Sequence, residues 1–282
     1  MTRPYAEVIG DPIAHSKSPL IHNFWLQKLG IDAEYRACHV RAEELEDYFT
    51  RRREDTKWLG CNITIPHKVA TLVLVHPYGD LVSRVGATNC VFRETSKALA
   101  PIICDNTDVE GVLAGIDAKI WQRDAGKACL IGAGGAARAA IYALRLAQAD
   151  EINIVARNCW EAETLLAEFG VQGSVFSFVD GASAFDLADT VINATPLGMI
   201  EQPDMPLNLV AALSATRSDA LVLDMVYLPL ETNLLAQARE LGRRGIDGLT
   251  MLIGQADEAF YLIFGTSPPR EHDAELRALL TA

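Results

Sequence analysis

The chain has 282 residues, half of them hydrophobic and 22% charged, which is enough for two compact units and excludes a disordered protein. Its 37 acidic residues against 25 basic ones give a formal net charge of -12, a field that repels nucleic acid and anionic membrane surfaces, so neither is expected as a partner. Six cysteines without a C-x-x-C pair, no apolar signal core at the start and no stretch of membrane-span length lead to the expectation of a cytoplasmic protein with buried thiols.

In chain order, the pattern predicts a strand at 6–10, a helix at 19–29, a strand at 35–40, a helix at 42–53, and strands at 59–65 and 88–93. This alternation implies an α/β unit with mostly parallel pairing. After Asn106-Thr107-Asp108 a helix leads to a strand at 127–131, an Ala-rich helix to about residue 147, a strand at 152–155, another helix, and strands near Val191 and at 221–224. These make a second α/β unit. Residues 250–264 read as a helix that the pattern alone assigns to neither unit.

Gly132, Gly134 and Ala137 fit G-x-G-x-x-G/A, with an apolar strand before and a helix after. Gly132 permits a tight turn, Gly134 lets a pyrophosphate approach the backbone, and Ala137 lets helix and strand pack closely. The N–H groups at the helix start then face the phosphates. At the end of the next strand, where NAD binders carry an acid for the ribose 2'-hydroxyl, the chain reads Ala156-Arg157-Asn158. An Arg there pairs with a 2'-phosphate, so NADP is favoured and NAD stays possible.

Four polar segments precede this turn. In His15-Ser16-Lys17-Ser18-Pro19, two hydroxyls ahead of a Pro-started helix suit either a carboxylate or an N-cap at Ser18. Asn62-Ile63-Thr64-Ile65-Pro66-His67-Lys68 is an alternating strand with Asn62 and Thr64 on one face, stopped by Pro66, with Lys68 just beyond. Gly86-Ala87-Thr88-Asn89 and Asp105-Asn106-Thr107-Asp108 complete the set. A Lys and an Asp brought together favour each other's charged forms, and such a Lys can exchange a proton with a substrate oxygen. His67 reads as structural, and no Cys or carboxylate stands at metal-ligand spacing from His15 or His67, so no metal is expected.

With these segments in view, the chain resembles the shikimate dehydrogenase family from Gly10 to about Phe264. The matching signatures continue through Asn193-Ala194-Thr195-Pro196-Leu197-Gly198-Met199, Asp224-Met225-Val226-Tyr227 and Asp247-Gly248-Leu249-Thr250-Met251-Leu252-Ile253-Gly254-Gln255. The resemblance implies an N-terminal substrate domain over 1–108, completed by helices from about 249 to 282, a Rossmann-type dinucleotide domain over 109–248, and an active-site cleft between them. Carried over by position, it implies Lys68 and Asp108 as the catalytic pair. It implies Ser16, Ser18 and Tyr227 at the substrate carboxylate, and Thr64, Asn89 and Gln255 at its hydroxyls and ring. Gly132, Ala133, Gly134, Gly135, Ala136, Ala156, Arg157, Met225 and Gly248 would line NADP.

The family's NADP users keep Asn-Arg-Thr and a second basic residue where this chain has Ala156-Arg157-Asn158 and then Glu161, and Thr250 replaces a common Gly. The expected activity is reversible reduction of 3-dehydroshikimate to shikimate, a small-molecule substrate, in chorismate and aromatic amino-acid biosynthesis, by a monomer or homodimer. A quinate/shikimate or aminoshikimate dehydrogenase using NAD, and a non-catalytic dinucleotide-sensing module, are the alternatives. The Ser16–Ser18 pair leans toward shikimate, since quinate-handling relatives tend to carry Thr at the second position.

Overall fold

The computed structural model describes residues 3–94, 100–116 and 126–282. It divides into two compact units, Met1–Thr107 with Gln255–Ala282, and Asp108–Gly254.

The first unit contains β1 (Tyr5–Gly10), α1 (Ser18–Leu29), β2 (Glu34–His39), α2 (Leu45–Glu54), β3 (Trp58–Ile63), β4 (His76–Pro77), α3 (Leu81–Val85), β5 (Cys90–Arg93) and β6 (Ile102–Asp105). Its six-stranded sheet runs β2-β1-β3-β5-β6-β4. β1 pairs in parallel with β2 and β3, whereas β5 is antiparallel to both β3 and β6. The sheet is therefore mixed, because the connection from β5 to β6, residues 94–101, is too short for the crossover that parallel pairing needs.

All six residues of β1 are buried, including Glu7. Glu7 Oε1 accepts from Arg36 Nε at 3.1 Å and Arg52 NH2 at 3.1 Å, and its Oε2 accepts from Arg52 Nε and Tyr48 OH, both at 2.8 Å. On the other side of β1, His22 of α1 is fully buried and stacked on Tyr35, ring centroids 4.1 Å apart. Among the described residues neither His22 ring nitrogen has a hydrogen-bond partner, and burial holds its pKa down to about 3.

Two sequence expectations shift. The strand expected to reach residue 65 ends at Ile63, since Pro66 has no N–H to offer a ladder and His67 N already turns back to Thr64 O at 3.0 Å. The helix expected over 42–53 opens as a 3-10 turn, Ala42–Glu44, before α2.

The second unit opens with α4 (Asp108–Gly115) and continues through β7 (Gly126–Ile131), α5 (Gly135–Leu146), β8 (Ala149–Val155), α6 (Cys159–Phe169), β9 (Val175–Phe176), β10 (Thr190–Asn193), α7 (Leu207–Ala212), β11 (Leu221–Asp224), α8 (Asn233–Glu240) and β12 (Arg244–Ile246). The remainder of the expected approach to β7, residues 117–125, lies outside the described residues. The sheet runs β12-β11-β10-β7-β8-β9 with every pairing parallel. Counted within the unit this is the doubly wound order 6-5-4-1-2-3, a Rossmann-type sheet whose direction reverses between β7 and β10. Helices on both faces explain why Cys129, Ile131, Val155 and Val191 on one face and Leu130, Ile154 and Ile192 on the other are all fully buried.

The last helices are α9 (Gly248–Phe264) and α10 (Asp273–Thr281). From Gln255 onward, α9 belongs to the first unit, where Phe260 meets Trp25 edge-on with centroids 5.5 Å apart. All six cysteines are free thiols, and Cys61, Cys90, Cys104 and Cys129 are buried. Burial raises all four, Cys104 to about 11, which makes them packing residues rather than nucleophiles.

Candidate functional site

In the first unit, the polar segments are laced together at the C-terminal ends of β3 and β6. Thr88 N donates to Lys68 O at 2.8 Å and Thr88 Oγ1 donates to Asp105 O at 2.7 Å, so one threonine ties the backbone carrying Lys68 to the end of β6. Asn89 is buried and uses its whole amide: Oδ1 accepts from Thr107 N at 2.7 Å, and Nδ2 donates to Thr107 Oγ1 at 2.9 Å and to Gln255 Oε1 at 3.3 Å. Asn89, Thr107 and Gln255 thus form one network from three distant parts of the chain. Its fixed amides present oriented donors and acceptors, which suits recognition of hydroxyl groups.

Thr64, just past the end of β3, is half-buried and its N–H donates to Ile9 O at 3.0 Å. Lys68 is half-buried one turn later. His67 is buried and its Nε2 donates to Val40 O at 2.6 Å, a structural use of the ring. Asp108 follows Thr107 directly, is 4% exposed and begins α4, where the positive helix end favours a carboxylate.

At the start of α1 the N-cap position falls on Lys17, with no side-chain cap, rather than on Ser18. Ser16 Oγ accepts from Ser18 N at 3.3 Å, so Ser16 takes over the capping contact and Ser18 lies inside the helix, buried. Both hydroxyls remain together at a positive helix end.

In the second unit, Gly132 has φ +116 and its N–H donates to Val155 O at 2.9 Å. A side chain there would meet Thr195 Cγ2 at 2.9 Å as well as an unfavourable φ, so only glycine fits the turn. Gly134, the N-cap of α5, is exposed, with open space where a Cβ would stand. Ala133, Gly135 and Ala136 are half-buried around it, and Ala137 is fully buried beneath the helix. An open glycine at a helix N-terminus over a packed base fits a pyrophosphate.

Ala156 is buried, whereas Arg157 and Asn158 are exposed just past β8. Asn158 Oδ1 caps α6 by accepting from Glu161 N at 3.4 Å. Among the described residues Arg157 has no ion-pair partner, and Glu161 does not claim it. An exposed guanidinium at this strand end fits a 2'-phosphate.

Met225 and Tyr227 are half-buried in the loop after β11. Gly248 packs against that loop so closely that an added Cβ would lie 2.5 Å from both Met225 O and Val226 O.

Sequence reasoning gave Asp224 no role beyond its place in a signature. It is fully buried at the end of β11, where Oδ1 accepts from Asn193 Nδ2 at 2.8 Å and Val226 N at 3.0 Å, and Oδ2 accepts from Thr232 Oγ1 at 2.6 Å. Burial outweighs these bonds and pushes its pKa up to about 6. The available signal was an acid closing an all-apolar strand. Among the described residues no group of three or more His, Cys, Asp or Glu could hold a metal ion, and no helix is long and apolar enough to cross a membrane.

The chain matches the shikimate dehydrogenase substrate binding domain over residues 8–91 and the shikimate / quinate 5-dehydrogenase family over residues 116–224. It is 45% identical over 282 residues to a shikimate dehydrogenase (NADP(+)) of Sphingopyxis alaskensis, covering 99% of this chain and 97% of the relative. A protein of the same name from Cereibacter sphaeroides is 39% identical, with 100% and 99% covered. Among solved structures, the shikimate 5-dehydrogenase of Thermus thermophilus in complex with NADP(H) and shikimate aligns with a TM-score of 0.82 at 30% identity, over 98% of this chain and 99% of that one. A quinate dehydrogenase from Corynebacterium glutamicum in complex with NAD aligns with a TM-score of 0.84 at 28% identity, over 98% and 99%.

Proposed function

Since the chain belongs to the shikimate dehydrogenase family, we propose that it catalyses the reversible, NADP-dependent reduction of 3-dehydroshikimate to shikimate in aromatic amino-acid biosynthesis. The full-length likeness to NADP-dependent shikimate dehydrogenases carries this reading. In this proposal residues 1–108 with 249–282 serve the substrate and 109–248 the dinucleotide, in a cytoplasmic enzyme that works as a monomer or homodimer.

NADPH would supply the hydride for the reduction, and NADP would take it up in the reverse direction. Gly132, Ala133, Gly134, Gly135 and Ala136 would hold its pyrophosphate, Ala156 and Arg157 its adenosine end, and Met225 and Gly248 its nicotinamide end. Ser16, Ser18 and Tyr227 bind the shikimate carboxylate. Thr64, Asn89 and Gln255 bind its hydroxyls, the last two through amides already oriented by Thr107. Lys68 gives a proton to the C3 oxygen as the ketone is reduced and takes it back in the reverse direction. Asp108 orients the Lys68 ammonium and the substrate hydroxyl. Alignment of these groups accounts for most of the protein's contribution to rate.

The test is formation of reduced nicotinamide with shikimate or quinate, each with NADP or NAD. Shikimate with NADP should be fastest. Faster turnover of quinate with NAD would reassign the substrate, and dinucleotide binding with no turnover would make the chain a sensing module. Lys68→Ala should lower kcat by about 10²-fold or more, the scale of a lost acid-base group. Turnover near wild type in that variant removes Lys68 from the mechanism.

A further inference from the structure

We propose that Asp224 is a positioning residue whose buried carboxylate sets the register of both loops that face the dinucleotide. The inference rests on the NADP dependence proposed above. Asp224 closes β11 and Asn193 closes β10, two neighbouring parallel strands whose ends align as register partners. A carboxylate only accepts hydrogen bonds, so the Asn193 amide must turn its Nδ2 toward Asp224, and its Oδ1 then faces away. That oxygen accepts from Thr195 N at 3.0 Å and Thr195 Oγ1 at 2.6 Å. With N–H and hydroxyl both held, the Thr195 methyl is fixed against the Gly132 turn, the contact that leaves no room for a side chain there.

The same carboxylate acts on the second loop. Its Oδ1 holds Val226 N, and Met225 N donates to Asn193 O at 3.1 Å. Gly248 closes on the carbonyls of Met225 and Val226 from outside. Thr232, the N-cap of α8, completes the clamp by donating to Oδ2 while its oxygen accepts from Leu235 N at 3.3 Å. One side chain thereby links the glycine turn at the end of β7 to the residues beyond β11, across the point where the sheet order reverses. Among the described residues no cation pairs with it, so the carboxylate is held by directed neutral donors alone.

An Asn at 224 can offer an N–H to Asn193 and so releases the constraint on its amide, while keeping the size of the side chain. Asp224→Asn should weaken NADP binding, measured by titration calorimetry, by about 10-fold or more, the scale of misplacing aligned groups. Thr232→Val should act in the same direction, and Thr232→Ser, which keeps the hydroxyl, should restore wild-type affinity. If folded Asp224→Asn and Thr232→Val proteins lose only thermal stability and bind NADP as the wild type does, the residue is structural and the proposal falls. Equal losses in Thr232→Ser and Thr232→Val would also overturn it, because the hydroxyl would then be irrelevant. A wild-type chain that binds no NADP would instead defeat the proposed function itself.

Discussion

Each unit buries a carboxylate of its sheet, Glu7 within β1 and Asp224 at the end of β11, and the two are kept there by opposite means. Glu7 in the first unit faces two arginines and a tyrosine, a charge met by charges. Asp224 in the second faces an amide, a backbone N–H and a hydroxyl, a charge met by dipoles. An ion pair of this kind fixes strand and helix against each other but tolerates little loss, because removing one partner strands the other. Neutral donors compensate less fully for lost hydration, so Asp224 holds a proton far more readily than an ordinary carboxylate. The first arrangement serves stability, and the second leaves geometry sensitive to the state of one group.

The sharpest way to break the comparison is Glu7→Gln. Arg52, whose side chain is only 18% exposed, would keep its charge without an anion. We expect a loss of about 3 to 5 kcal/mol in denaturant unfolding, the range for breaking a buried pair. A loss below about 1 kcal/mol would place Glu7 with exposed ion pairs and erase the contrast.

Acid should separate the units next. The pKa of His22 is depressed in the fold, so the unfolded chain takes up the proton first and the first unit loses stability as pH falls below about 6.5. At about pH 4.5 the loss should be about 2 to 3 kcal/mol relative to pH 7. Asp224 has the opposite sign: its raised pKa means the folded state gains the proton first, so acid adds stability between about pH 6 and 4 and rising pH removes it. Hydrogen-exchange protection should therefore fall in α1 and β2 and hold in β10 and β11, and His22→Phe should flatten the acid slope. Equal loss of protection in both sheets would remove the distinction.

The smallest effect concerns the exposed charge of the second unit. Arg157→Ala should weaken NADP by about 1.5 to 3 kcal/mol and leave NAD nearly unchanged, as expected for a hydrogen bond to a charged group. Because Arg157 lies in solvent, salt should shrink the difference. Equal weakening of both cofactors would show that the arginine does not read the phosphate.

These cases also mark what the sequence could and could not convey. The Gly132 turn was legible because strand, turn and helix are contiguous, and so was the strand end just ahead of Lys68, because Pro66 announces it. Glu7 was not. Its position in an alternating strand reads as solvent-facing, and the arginines that allow burial come 29 and 45 residues later. Asp224 was visible only as part of a signature, since its partners stand 31 residues before and 8 residues after it. His22 looked like any polar helix residue until Tyr35 and Phe260 supplied its stacking surfaces. Strand β6 escaped because four residues are too few for periodicity to separate strand from loop. At the start of α1 two serines competed for one capping role, and the hydroxyl two residues upstream took it.

The scattered thiols give the protein built-in clocks. Cys38 and Cys159, partly exposed and one in each unit, should react with an alkylating reagent before the rest, Cys38 slowed because burial raises its thiol, whereas Cys61, Cys90 and Cys104 can react only when the first sheet opens and Cys129 only when the second does. Mass spectrometry of a timed alkylation then follows two separate openings in one unmodified sample. The slow labelling rates report the free energy of each opening directly, with no probe introduced into either core.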